Sequence, residues 1–370
     1  MKKMFIKSLL AAAAVMLVSL PQQVKASEFS FAVDPVKPKT QVNKKVTYFD
    51  IAVKPKEQQI LQVKLRNDTD KPVDVDAVVN TTTTNLNGVV EYSPNKIKND
   101  KTLKYDIKDL VEFPKDITIP KQSEKTVEFK VNAPSEAFDG IISGGITFKD
   151  KDKTTDDKKT GSGLSINNEF SYVVAMVLHS KDTKIEKELK LLDVYADQVN
   201  VRNTIRLKFQ NPQPVFLNNL RYKAEITKEN DSTVLYHTEK KGMQVAPNSN
   251  FSSPISLEGD KLNPGKYTAK VTALAVESSN GEYPSEEKGP DGKVLRYLYK
   301  WDFTKNFEIT PELAKNLNAK DVTIKKTMNV WAIVAICLLL LLLLILIIYL
   351  IKKRLDKKRQ AEKEEINDKE

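Results

Sequence analysis

Cysteine and histidine are almost absent: of 370 residues, one is cysteine and two are histidine. The cysteine, Cys337, falls inside a long apolar run. The rest of the chain therefore has no disulfide available and must stand on hydrophobic cores alone. With only His179 and His237 to draw on, a His/Cys zinc site and a Cys–His nucleophile are both excluded. There is no Gly-x-Ser-x-Gly elbow, phosphate-binding loop or Gly-x-Gly-x-x-Gly turn, so no cofactor is expected. Asp68, Asp70, Asp74 and Asp76 alternate, but lack the glycine and closing glutamate of an EF-hand loop. Exposed strand positions around a turn explain them better than calcium does. A one-signed field is missing too. The net charge of +10 is carried in part by Lys2, Lys3, Lys7 and Lys25 and by the C-terminal tail. Between them acids and bases interleave, which makes no nucleic-acid stripe.

What the chain does have is concentrated first at its ends. Three early lysines, an apolar stretch over residues 8–20 and Val24-Lys25-Ala26 make a signal peptide with cleavage expected after Ala26. Residues 330–351 are uncharged and Leu/Ile-dominated, long enough to cross a bilayer as a helix. Trp331 and Tyr349 lie near its ends, and Lys352-Lys353-Arg354 follow at once. Basic residues stay on the cytoplasmic side, so the expected topology has the body outside and residues 352–370 as a cytoplasmic basic tail. No Leu-Pro-x-Thr-Gly sorting signal is present, and covalent attachment to a cell wall is not expected.

Between the ends, apolar and polar residues alternate. Leu61, Val63 and Leu65 face one way; so do Val73, Val75, Ala77 and Val79, and Val127, Phe129 and Val131. Ile205, Leu207 and Phe209, then Tyr222, Ala224 and Ile226, then Tyr267, Ala269 and Val271 repeat the pattern. Asn-, Asp-, Pro- and Gly-rich turns separate these runs. The expected fold is all-β: two tandem immunoglobulin-like β-sandwich domains over residues 27–180 and 181–310, a juxtamembrane linker over 311–329, and a single transmembrane α-helix. An internal echo supports the tandem arrangement, because Asn67 and Asn211 both end a strand before a turn. Convergent turn chemistry would give the same echo. The polar stretch 149–163 reads either as a linker or as the tip of a hairpin joining the runs 141–148 and 170–178. The hairpin is preferred, with the domain boundary near residues 179–184.

Candidate binding positions follow from exposed aromatic and amide side chains on sandwich loops. Tyr48-Phe49-Asp50 opens an early strand, Asn85 and Asn87 sit in an Asn-Gly turn, and Phe138-Asp139 precede an apolar strand. Asn218, Asn219, Asn248 and Asn250 are added on the same ground. Core packing and type I′ turn chemistry are the stronger accounts of the first three groups.

The succession of Tyr48-Phe49-Asp50, residues 61–67, 84–88, Phe138-Asp139-Gly140 and Gly144-Gly145-Ile146 resembles the first domain of the WxL-interacting proteins of Gram-positive bacteria. Gln210-Asn211-Pro212, Leu217-Asn218-Asn219-Leu220, residues 243–251 and Pro264-Gly265-Lys266-Tyr267 are similar to their second domain. The resemblance covers essentially the whole chain. It implies peptidoglycan binding by the first domain, and binding of a WxL-type surface protein or a host extracellular matrix protein by the second. It transfers no residue-level site.

The leading expectation is a non-enzymatic scaffold bridging membrane, peptidoglycan and a WxL-domain surface protein. An adhesin for a host matrix protein is the alternative. An enzyme acting on wall glycans would need paired carboxylates ~5–9.5 Å apart, which sequence cannot measure. The partners expected are therefore peptidoglycan, a WxL-type protein, a host matrix protein as the alternative, and the bilayer through residues 330–351.

Overall fold

The computed structural model describes residues 30–151, 170–324 and 330–367. The signal-peptide segment, residues 152–163 of the polar stretch and the chain just before the apolar run lie outside the described residues.

Alternation becomes strands. β1 (Ala32–Val36), β2 (Phe49–Ala52), β3 (Gln58–Asn67), β4 (Val73–Thr81), the short pair β5 (Thr83–Thr84) and β6 (Val90–Glu91), β7 (Val111–Glu112), β8 (Asp116–Ile119), β9 (Ser123–Asn132), β10 (Ile141–Asp150) and β11 (Ser171–His179) build the first sandwich. One sheet runs β1-β3-β9-β7 and the other β2-β11-β10-β4-β8. β3 alternates buried and exposed along its whole length, putting Leu61, Val63 and Leu65 inside. Val73, Val75, Ala77 and Val79 of β4 meet them across a core that includes Phe129 and Phe148, whose rings pack edge-on at 5.8 Å. β10 and β11 pair antiparallel from Ile141↔His179 to Lys149↔Ser171, the hairpin that the apolar runs suggested. β2 joins β11 in parallel, Phe49 facing Met176.

The second set is β12 (Lys190–Val199), β13 (Arg202–Asn211), β14 (Leu217–Lys228), β15 (Val234–Val245), β16 (Ser249–Ser256), β17 (Gly265–Glu277), β18 (Tyr283–Lys288) and β19 (Val294–Ile309). These form a three-stranded sheet, β12-β13-β16, and a five-stranded one, β15-β14-β17-β19-β18. Phe209 packs against Tyr222 at 5.1 Å and Phe251 at 5.5 Å, which ties β13 and β16 to β14. The all-β expectation thus holds.

The chain divides into two compact units. The first takes both sets of strands up to Ala196, then Ile205–Ile255 and Gly265–Ile309. The second gathers Asp197–Thr204, Ser256–Pro264 and everything from Thr310 on. In that unit, residues expected as linker form helix α1 (Pro311–Lys320), with Pro311 in the first turn and the Thr310 hydroxyl accepting from Leu313 N–H. Asn318 pairs both ways with the Leu262 backbone at 2.9 Å, and Asp321 accepts from Asn203 N–H at 2.7 Å. Helix α2 (Val330–Asn367) carries the apolar run and continues through the basic tail without a break at 351. Its leucines and isoleucines are exposed on every side, as a lipid-facing helix requires. The window Val334–Lys358 is long and apolar enough to cross a membrane.

Candidate functional site

The first sandwich carries a groove of about 650 Å³ where β1, the lead-in to β2 and the first half of β11 come together. Its walls hold three tyrosines, Tyr48, Tyr92 and Tyr172, with Asp34 and Lys37 at the side. Each tyrosine is placed by a distinct local device. Tyr48 is fixed through its backbone: the buried Gln41 amide donates to the Tyr48 carbonyl at 3.0 Å, and its oxygen accepts from Asp50 N–H. Tyr92 lies over Gly145 so closely that a Cβ there would stand 2.6 Å from the Tyr92 carbonyl oxygen. Tyr172 rests against Phe31, ring centroids 5.4 Å apart.

Burial pushes both the Tyr48 and Tyr92 phenols above their ordinary range. Asp50 adds to this at Tyr48, and Tyr48 adds to it at Tyr92. Both stay neutral at physiological pH and keep an O–H to donate. A half-open groove with flat aromatic walls, hydroxyls and little net charge suits a neutral, hydroxylated ligand with apolar ring faces.

Of the positions expected from sequence, the groove takes only Tyr48. Phe49 is fully enclosed in the core and offers no surface. Asp50 is buried and paired with His179 Nε2 at 2.5 Å, holding β2 to β11. Asn85 is spent on its own turn, accepting from Asn87 N–H at 2.9 Å and Val89 N–H at 3.1 Å. The exposed Asn87 is the residue before Gly88, whose φ of +71° completes the turn.

Several of the remaining positions lie at or near the place where the two sandwiches join. Asn250 donates to the Asp100 carboxylate at 2.5 Å, and Gln210 donates to both of its oxygens at 2.8 and 3.0 Å. The Thr84 hydroxyl accepts from Ala246 N–H at 2.9 Å and meets the Ser249 hydroxyl at 2.8 Å. Gly88 accepts from Gln244 N–H, and the Gln244 side chain donates to Asn218 at 2.7 Å. Asn248, with φ +45°, donates to the Pro212 carbonyl. Asn219 is exposed within β14, at a shift of register beside Leu220, with φ +50°. Phe138 meets Tyr105 at 6.0 Å, and Asp139 accepts from Thr183 at 2.7 Å. Phe138, Asp139 and Asn248 share a hollow of about 320 Å³. Sequence reasoning marked these as conspicuous polar positions, and Asn248 and Asn250 carry hydrogen bonds at or beside the joint, while Asn219 stays exposed.

Sequence reasoning missed Tyr92, Tyr172 and Arg221. Tyr92 follows the Asn-Gly turn in a polar stretch, and a lone tyrosine among Pro, Asn and Lys was its one available signal. Arg221 is almost fully buried on the outer face of the five-stranded sheet. It pairs with Glu239 and Glu287, with the Tyr297 ring 5.9 Å away. Glu287 also binds Lys241, and its neighbour Glu286 binds Lys223, so β18 is clipped across that face. Among the described residues no cluster of His, Cys, Asp and Glu could hold a metal ion.

Residues 31–150 match the family described as "WxL Interacting Protein, peptidoglycan binding domain". Residues 161–319 match "WxL Interacting Protein, host binding domain". No curated protein matches the sequence. Among solved structures, a chain of the chaperone–tip adhesin complex of CFA/I fimbriae is similar at 10% identity. The likeness covers 72% of this chain and 99% of that one, with a TM-score of 0.29. The class 5 fimbriae chaperone CfaA is similar at 11% identity over 72% and 98%, TM-score 0.28. The E. coli chaperone DraB is similar at 15% identity over 76% and 98%, TM-score 0.26.

Proposed function

The chain belongs to the WxL interacting protein family, and from that premise we propose that it is a non-enzymatic scaffold anchored in the cell membrane. A binding role at the cell surface follows from the two matched domains. The finer reading is this. The first sandwich holds peptidoglycan in the groove of Tyr48, Tyr92 and Tyr172. The second engages a WxL-type surface protein. Helix α2 keeps both at the membrane, with the body outside and Lys352-Lys353-Arg354 at the cytoplasmic face.

The observation that carries the reading is the groove itself. Glycan strands present apolar ring faces edged by hydroxyls, and three tyrosine rings, with the Tyr48 and Tyr92 phenols held neutral by burial, answer both features. The joint supports the bridging role, because a buried carboxylate and two buried hydroxyls lock the wall-facing sandwich to the second one. A load on one sandwich is then passed to the other.

The test is retention of the detergent-solubilised full chain by purified sacculi, compared with the Tyr92→Ala and Tyr172→Ala forms. Retention of the parent with loss in both variants is expected. A parent that washes off like an unrelated protein sinks the wall reading. The second matched domain is described by host binding, which favours an adhesin as the alternative reading. Parallel capture on an immobilised WxL-domain protein and on fibronectin separates the two.

A further inference from the structure

One row across the outer face of the first sandwich reads Asn80, Gly145, Ala175, from β4 through β10 to β11. Ala175 lines the tyrosine groove, and Gly145 is the bare backbone on which Tyr92 rests. Asn80, at the other end of the row, lines a separate small pocket of about 100 Å³. Neighbouring strands stand about 4.8 Å apart, so the Asn80 and Ala175 backbones are about 10 Å apart across Tyr92. Ala175 of the groove and Asn80 of the pocket thus stand in one row on either side of Gly145, over which Tyr92 lies.

The pocket is walled by amides and hydroxyls that are mutually satisfied. Asn95 donates to Thr83 at 3.0 Å, Asn99 donates to Asp106 at 2.7 Å, and Lys108 pairs with Asp106 at 3.0 Å. Thr81 also donates to Asp106. Burial pushes the Asp106 carboxyl up, but the bonds from Thr81 and Lys108 outweigh it and hold it below the usual range. The carboxylate stays charged and is offset by Lys108. One donor is left over: the amide nitrogen of Asn80 is buried and has no hydrogen-bond partner. A buried N–H without an acceptor destabilises the fold unless something fills the place.

The chemistry that fits is narrow. The acceptor must be small, because the pocket is. It must be neutral, because an anion would face Asp106 and a cation would leave the Asn80 donor unsatisfied. It must present a carbonyl oxygen. We propose that the pocket is a subsite for the acetamido group of an N-acetylated amino sugar, whose neighbouring ring lies in the tyrosine groove. The acetamido carbonyl accepts from Asn80, and its methyl lies against Ile97. This rests on the peptidoglycan reading and adds to it the reason one glycan is chosen over another. The tyrosines supply affinity for sugar rings in general; Asn80 selects those that carry N-acetyl groups.

The test uses the full chain in detergent and three preparations of the same sacculi: native, chemically de-N-acetylated, and de-N-acetylated then re-acetylated with acetic anhydride. Binding is read at 0.5 M salt so that the newly exposed amines are screened. At least a tenfold loss on de-N-acetylation and recovery on re-acetylation are expected. Asn80→Ala should bind all three equally and weakly, while Tyr92→Ala should weaken all three yet still prefer the acetylated ones. Equal binding of the parent to acetylated and de-N-acetylated sacculi overturns the subsite and leaves the wall reading standing. So does Asn80→Ala that still discriminates, which would assign the pocket to water alone. No binding to any preparation overturns the wall reading itself. If Asn80→Ala fails to fold, the parent's own discrimination among the three preparations decides.

Discussion

Asn67 and Asn211 perform the same task in the two sandwiches. The Asn67 amide donates to the carbonyls of Lys71 at 2.8 Å, Pro120 at 3.0 Å and Ile119 at 3.2 Å. The Asn211 amide donates to Val215 at 2.7 Å and Ala246 at 3.0 Å. The oxygen of each accepts the N–H two residues on, from Thr69 and from Gln213. Ile119-Pro120 and Ala246-Pro247 are the matching corners, so the echo in the sequence is a repeated clamp. Replacing either asparagine with alanine strands buried carbonyls, at a cost of about 1–3 kcal/mol. Calorimetry of Asn67→Ala and Asn211→Ala should show losses of similar size. A change below about 0.5 kcal/mol in either, the range of ordinary surface substitutions, would refute the clamp.

The joint between the sandwiches should be sensitive to acid through Asp100. Burial pushes its carboxyl up, but bonds from Thr102, Gln210 and Asn250 outweigh this and hold it below its ordinary value. A depressed carboxyl stabilises the fold above the unfolded-state value of about 3.9 and loses that contribution as pH falls through the folded value. The parent should therefore lose Tm steeply below about pH 4. Asp100→Asn, which cannot ionise, should start lower at pH 7 and show a shallower acid slope. Identical slopes for the two proteins would remove Asp100 from the account.

Much of the scaffold is legible in the sequence because period-two alternation is a direct image of a sheet with one wet face. Every apolar residue named on that ground, from Leu61 to Val271, is buried. The site is less legible, for two physical reasons. Alternation cannot tell a strand-opening aromatic that faces the core, such as Phe49, from one beside it that lines a groove, such as Tyr48. Polar loops such as Asn248-Ser249-Asn250 advertise hydrogen-bonding capacity, but not its recipient. Here the recipient is Asp100 for Asn250 and Pro212 for Asn248, over a hundred and a few dozen residues away respectively. Tyr172 joins the groove only through the β10–β11 pairing, and α1 was hidden because ten residues of mixed polarity carry no strong period.

Arg221 is the hinge point of the outer face of the second sandwich. Its guanidinium is buried and divided between Glu239 and Glu287, which brings β15 and β18 onto one cation. Arg221→Met keeps the volume but removes the charge, freeing β18 from the sheet. A stability loss of about 2 kcal/mol is expected, below the 3–5 kcal/mol of a fully buried pair because both glutamates keep contact with water. Arg221→Lys should recover little, since a point charge cannot span two carboxylates. Hydrogen exchange should quicken in Tyr283–Lys288 in both variants. Unchanged exchange there would mean that β18 is held by its pairing with β19 alone.

Gly145 provides the most direct link between backbone and binding. Its φ is ordinary, so alanine there brings no conformational strain, only a methyl group 2.6 Å from the Tyr92 oxygen and 2.8 Å from the Tyr92 Cβ. Such distances cannot be met without moving the Tyr92 backbone. Gly145→Ala should therefore reproduce the loss of sacculus retention caused by Tyr92→Ala, about tenfold or more for truncating a central aromatic anchor. Tyr92→Phe should keep most of it, because the ring face remains. None of these affinities should fall much between 0.1 and 0.5 M salt, since the groove offers aromatic surface rather than a charged track and exposed charges are screened within ~10 Å. Retention that collapses with salt, while Gly145→Ala binds like the parent, would place wall binding on the lysines of the surface and leave the tyrosine groove without a role in it.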